Sequence, residues 1–169
     1  RQAEAMESYF ERVVARLTGA GYRWYETANF CRSPQLGDGR DLRSRHNLAY
    51  WRGRDYLGLG IGAVSTIDGR RWRTTPRLGH YLASLGAGKL PEREVEALPE
   101  RVRHSERVLL GLRLDEPLSL DGVADAVDVE ALERLERLGL VRRAADGAAL
   151  ALTERGRFLG GGVTASLLA

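Results

Sequence analysis

Residues 2–26 constrain the fold more than any other stretch of the chain. Met6, Phe10, Val13, Val14 and Leu17 recur at the spacing of one helix face, and Gly19 and Gly21 end the element. YRWYE (residues 22–26) then has the aromatic content of a strand. Helix, short glycine turn and strand form the second half of a βαβ unit, which predicts an α/β protein with a parallel sheet. A single strand is no sheet, so its partners are expected upstream. The chain also opens inside a helix without an initiator methionine, and it reads as the C-terminal part of a longer protein.

Residues 31–56 read as a loop rich in Arg, Gly and Asp, followed at 56–67 by a strand in which glycines alternate with apolar residues. Gly58, Gly60 and Ala63 fit the spacing G-x-G-x-x-G/A, yet their context excludes a dinucleotide loop. The preceding HNLAYWRGRDYL is polar and aromatic, the strand-like Val64-Ser65-Thr66-Ile67 stands where a helix should open, and no acid lies between Asp68 and Glu92. The alternation instead suits a strand closely approached by another backbone or a flat ligand. Asp68-Gly69 makes a hairpin turn, residues 78–85 a short helix, and Gly86, Gly88 and Pro91 a connecting segment.

The last third reads as a separate module. Glu92 to Leu112 is expected to be helical with a break at Pro99, and LSLDGVADAV (118–127) a second short helix. Asp128 caps a third, with Val129, Leu132, Leu135 and Leu138 on one face. A hairpin turning at Asp146-Gly147 and a closing helix at 154–159 complete a winged-helix pattern. The third helix is a poor partner for nucleic acid, because residues 128–138 carry a charge of −2 where phosphates ask for cations.

Charge is uneven along the chain. The net +3 divides into +6 over residues 1–80 and −3 over residues 81–169. Arg40, Arg43, Arg45, Arg52 and Arg54 face only Asp41 between residues 40 and 54, which suits an anionic partner and equally a solvated arginine-rich loop. The sole cysteine, Cys31, has no partner for a disulfide and fits a reducing compartment. No run of 18 apolar residues and no leader pattern occurs, so a cytoplasmic location is expected.

YETANF (25–30), RHNLAYW (45–51) and DYLGLGIGAVS (55–65) occur in this order, with LLGLRL (109–114) and LTERGR (152–157) behind them. Together they resemble the coproporphyrinogen III oxidase-like branch of the radical SAM proteins. Within it they resemble the HemW-type heme chaperones, through the H-N-x-x-Y-W signature of His46, Asn47, Tyr50 and Trp51. The resemblance implies the C-terminal end of a partial βα barrel (residues 1–67), a connecting segment (68–91) and a small helical, winged-helix-like domain (92–169). It implies heme as ligand and heme-acceptor proteins as partners, with a homodimer as one assembly to expect. In the intact protein it implies S-adenosylmethionine and a [4Fe–4S] cluster on three upstream cysteines, with Phe30 and Cys31 bordering the S-adenosylmethionine site.

The chemistry of the signature agrees with heme on its own terms. Imidazole is a normal axial ligand for heme iron, so His46 is the expected metal ligand, with tyrosinate as rival. Aromatic rings such as Tyr50 and Trp51 can lie against a porphyrin, and Arg45 and Arg52 can pair with its propionates. The bland alternative is that the aromatics are core and His46 bonds a loop. His80 and His104 are read as structural. The other functions to weigh are an oxygen-independent coproporphyrinogen III oxidase and a winged-helix regulator. The signature favours the chaperone group, which is not known for oxidase activity.

Overall fold

The computed structural model describes residues 2–36 and 38–168. In chain order its elements are α1 (Gln2–Gly19), β1 (Tyr22–Trp24), β2 (Phe30–Arg32), α2 (Arg45–Trp51), β3 (Val64–Ile67) and β4 (Arg70–Thr74). There follow α3 (Leu78–Gly86), β5 (Arg93–Ala97), α4 (Glu100–Gly111), β6 (Leu118–Ser119) and α5 (Val129–Arg137). The chain closes with β7 (Val141–Arg143), β8 (Ala149–Leu152), α6 (Glu154–Phe158) and α7 (Gly160–Ser166). They pack as two compact units, Arg1–Gly53 with His104–Ala169, and Arg54–Arg103. This division cuts across the three segments read from the sequence.

In the first unit, α1 turns Val14 and Phe10 inward; Met6 lies outside the residues whose side chains are described. Val14 is buried, and the Phe10 ring meets Trp24 at 5.6 Å and Phe158 at 5.9 Å, both edge-on. Gly21 takes a φ of 82°, which costs little only for glycine, and reverses the chain into β1. β1 then pairs antiparallel with β2, Trp24 opposite Phe30. The parallel neighbour that the helix–glycine–strand pattern predicts is not among the described residues, whose strand pairs are all antiparallel. The cause is local: the chain reverses within residues 25–29, with Tyr25 N–H donating to the Asn29 carbonyl. A reversal that short can join only antiparallel strands.

The winged-helix pattern is present in the same unit, with strand order β6–β8–β7 and the β7–β8 hairpin turning through Gly147 at a φ of 74°. Asp128 caps α5 as expected, its Oδ1 accepting from Ala131 N–H at 2.8 Å. Leu132 and Leu135 are buried with Val108, Leu112, Leu150 and Leu167, whereas Val129 and Leu138 are exposed. At about 100° per residue, steps of three drift by about 60°. Residues 129 and 138 therefore end on opposite sides, and only the middle pair faces the core. LSLDGVADAV is not a helix but β6 and a 3₁₀ turn at Ala124–Ala126, interrupted by Gly122 at a φ of 70°.

The second unit is the antiparallel sheet β3–β4–β5 with α3. Asp68 and Gly69 both take positive φ, 49° and 71°, the conformation that a two-residue hairpin demands. Where a helix was expected from residue 92, REVEA instead pairs with β4, and α4 starts only beyond Pro99. Proline disfavours helical geometry in the residue before it, so no helix runs through Leu98 into α4. The strand expected over 56–67 shrinks to β3 and one bridge between Tyr56 and Thr66. The glycines between make a loop. Close backbone approach does explain Gly58: a Cβ there would stand 2.2 Å from the Val64 carbonyl oxygen.

Candidate functional site

The segment RHNLAYW, expected in a loop, is the helix α2. Ser44 supplies the reason, its side chain accepting from Asn47 N–H at 3.3 Å as an N-cap. Seven residues are too few for a helix to persist unaided, so tertiary contacts must hold it. Leu48 is buried and Trp51 packs on the cluster of Tyr25, Cys31, Leu48 and Leu114. The Arg113 guanidinium covers the Trp51 ring, 4.9 Å from its centroid. Asn47 Nδ2 donates to the Tyr25 hydroxyl at 3.4 Å, which joins the HNLAYW and YETANF segments directly.

One turn apart, His46 and Tyr50 share the opposite, exposed face, their rings edge-on with centroids 5.0 Å apart. Arg45 is exposed and makes no ion pair among the described residues. Arg52 is engaged: its Nη2 donates to Glu116 Oε2 at 2.8 Å. Trp51 faces the core, and its buried Nε1 has no hydrogen-bond partner among the described residues.

The arginine surplus of residues 40–54 is partly compensated, by Asp41 within the segment and by Asp38 and Glu116 outside it. Arg43 donates to Asp41 at 2.7 Å and also to Glu116 Oε1, while Arg40 pairs with Asp38 at 2.6 Å. Nearby, Arg23 reaches Asp115 with two parallel bonds of 2.6 and 2.9 Å. Burial alone would raise the Glu116 carboxyl, but hydrogen bonds from Arg52 and Arg43 outweigh it and hold it below the usual range. The Arg43 side chain and backbone hold Asp41 down to about 2. Arg43 itself is raised, first by its bond to Asp41.

Phe30 and Cys31 lie on β2. Phe30 stacks on Trp24, with centroids 6.3 Å apart and planes at 21°. Cys31 is buried in the Tyr25 cluster, and desolvation pushes its thiol up. His80 is exposed on α3, and His104 Nδ1 lies 2.7 Å from Asp125 Oδ1. Among the described residues no three His, Cys, Asp or Glu side chains group as metal ligands. No described helix is long and apolar enough to cross a membrane. Sequence reasoning missed Glu116 and Arg113, because nothing local marks a partner more than 60 residues away. It also missed Glu26, 2% exposed and with Oε1 unpartnered among the described residues.

No family model matches the chain. It is 36% identical over 159 residues to the heme chaperone HemW of Mycobacterium tuberculosis, covering 94% of this chain and 38% of that protein. With the heme chaperone HemW of Bacillus subtilis it is 28% identical over 178 residues, covering 99% and 43%. The chain thus spans about two fifths of the length of these relatives. Among solved structures it superposes on the coproporphyrinogen III oxidase HemN of Escherichia coli, a radical SAM enzyme. The TM-score is 0.65 at 21% identity, over 92% of this chain and 39% of that one. The α/β fold is therefore that of the C-terminal portion of such a protein.

Proposed function

Because the chain belongs to the HemW-type branch of the coproporphyrinogen III oxidase-like radical SAM proteins, as a counterpart of their C-terminal part, we propose that α2 is a heme-binding segment with His46 as the ligand to iron. One observation carries this reading. The helix buries Leu48, packs Trp51 against the core and ties Asn47 to Tyr25, while it carries His46 and Tyr50 edge-on to one another on its exposed face. A histidine kept for core packing would be turned the other way. Heme is the cargo here, and these residues suit it. His46 offers a nitrogen to iron, Tyr50 offers a ring edge or a rival oxygen, and exposed Arg45 is free to reach a propionate. Arg52 can do so only by giving up or sharing Glu116. Trp51 supports the site from beneath.

A [4Fe–4S] cluster does not fit the residues present. Cys31 is the only cysteine, and it is buried with its thiol raised. S-adenosylmethionine and the cluster accordingly belong to the reading of a longer protein, in which the backbone at Phe30 and Cys31 would border the former. Delivery of heme to acceptor proteins from a cytoplasmic location follows from the same reading. A nucleic-acid role gains no support from α5: Glu136 binds Arg143 of the wing at 2.5 Å, which neutralises a cation that phosphate would need.

Titration of the protein with ferric heme, followed in the Soret region, tests the reading. His46→Ala is expected to abolish or shift the band, and Tyr50→Phe to leave the iron ligation in place. An unchanged spectrum and affinity in His46→Ala would overturn it.

A further inference from the structure

The geometry points to Glu116 as a positioning residue for His46, acting by holding both ends of α2 at once. This rests on the reading of α2 as the heme segment. Glu116 lies in the turn after α4, far along the chain from the helix it holds. Arg43 stands just before the cap residue Ser44 and binds one oxygen of the Glu116 carboxylate. Arg52, the residue immediately after α2, binds the other at 2.8 Å. Arg23 adds a third guanidinium at 3.8 Å.

One rigid carboxylate therefore sets the distance between the two flanks of a seven-residue helix. Leu48, Trp51 and the Asn47–Tyr25 bond anchor the inner side of that helix, but none of them fixes the chain on either flank. Fixing both flanks to one group removes that freedom. The direction in which the exposed His46 imidazole leaves the surface is thereby set from a distance. Charge-assisted bonds suit this task, being directional and about twice as strong as neutral ones. The Arg43 side chain is only 10% exposed, whereas Glu116 and Arg52 are each about a third exposed, so salt screens the Arg52 bond more than the Arg43 bond.

Glu116→Gln keeps the length of the side chain but turns an amide donor toward one of the two guanidiniums. Ferric heme is titrated into the protein and this variant, with affinity read in the Soret region and axial ligation by electron paramagnetic resonance. Amide exchange over residues 45–52 is followed without heme. The expected result is about a tenfold loss of affinity, a ligation signature spread over more than one species, and faster exchange in α2 with none in α5. Arg43→Gln, which leaves the Arg52 bond in place, is the second variant in case the first does not fold, and should move the same signals by less. An unaltered signature, affinity and exchange in a folded variant would overturn the positioning role. His46→Ala separates the two claims. If it removes the signature while Glu116→Gln changes nothing, only the positioning role falls; if it leaves the signature intact, the heme reading falls and the role with it.

Discussion

Gly156, in the LTERGR segment, offers a stability prediction whose sign runs against helix propensity. It lies inside α6, where alanine is ordinarily better by about 1 kcal/mol. A Cβ on Gly156, however, would stand 1.9 Å from the Leu140 carbonyl oxygen and 2.9 Å from its carbon. Backbone, not a flexible side-chain tip, must therefore move by more than 1 Å. That same oxygen accepts from Thr153 N–H at 3.0 Å, and Thr153 caps α6 by accepting from Gly156 N–H, also at 3.0 Å. Overpacking costs about 1–3 kcal/mol and a lost buried hydrogen bond about 1 kcal/mol. Offset by the propensity gain, Gly156→Ala should lose about 2 kcal/mol, or roughly 4–8 °C in Tm for a chain of this size. Gly162→Ala is the matched control, since a Cβ there meets nothing within 4 Å; it should be neutral or gain up to about 1 kcal/mol. Thermal and urea denaturation of both variants beside the parent decide the matter. A Gly156→Ala protein as stable as the parent would refute the steric argument.

Two other outcomes follow from the charge and burial around β2 and its loop. Asp41 titrates near 2 in the fold, below its ordinary value, so its contribution to stability is present above about pH 4 and disappears as pH falls toward 2. Asp41→Asn should be less stable than the parent at pH 7, with the gap closing below pH 4 in urea denaturation. Cys31 should react slowly with a disulfide reagent at pH 8 and rapidly once urea unfolds the chain, because burial both shields and raises the thiol.

Elements set by nearest neighbours were legible in the sequence. Asp68-Gly69 and Asp146-Gly147 announce their hairpins, Asp128 its helix and Gly21 the end of α1, since each works through its own backbone conformation or hydrogen bond. The Ser44 cap was legible in principle but was masked by the surrounding Arg, Gly and Asp. REVEA could not be assigned by composition, as glutamate-rich segments favour helix and only pairing with β4 makes it a strand. At the candidate site, the outward pair His46 and Tyr50 was visible as residues, but not as one face of a helix. The division of labour with Trp51 was hidden, because an aromatic in a signature looks the same whether it meets ligand or core. Glu116 was out of reach, since its role exists only after residues 43 and 52 are brought to it.

Arg157 lies over the Trp24 ring, 3.7 Å from its centroid, and donates to the Trp24 carbonyl at 2.7 Å from 133 positions further along the chain. This has a meaning in time as well as in space. A ribosome adding 5–20 residues per second takes on the order of 10 s to make that stretch. For most of that time, β1 and its aromatic neighbours are outside the exit tunnel without the side chain that covers Trp24. The nascent chain must keep Trp24 and Phe30 from finding other partners until residue 157 is made. Early arrest of synthesis would leave a species with a sticky, unfinished edge, a natural substrate for general folding factors or for proteolysis.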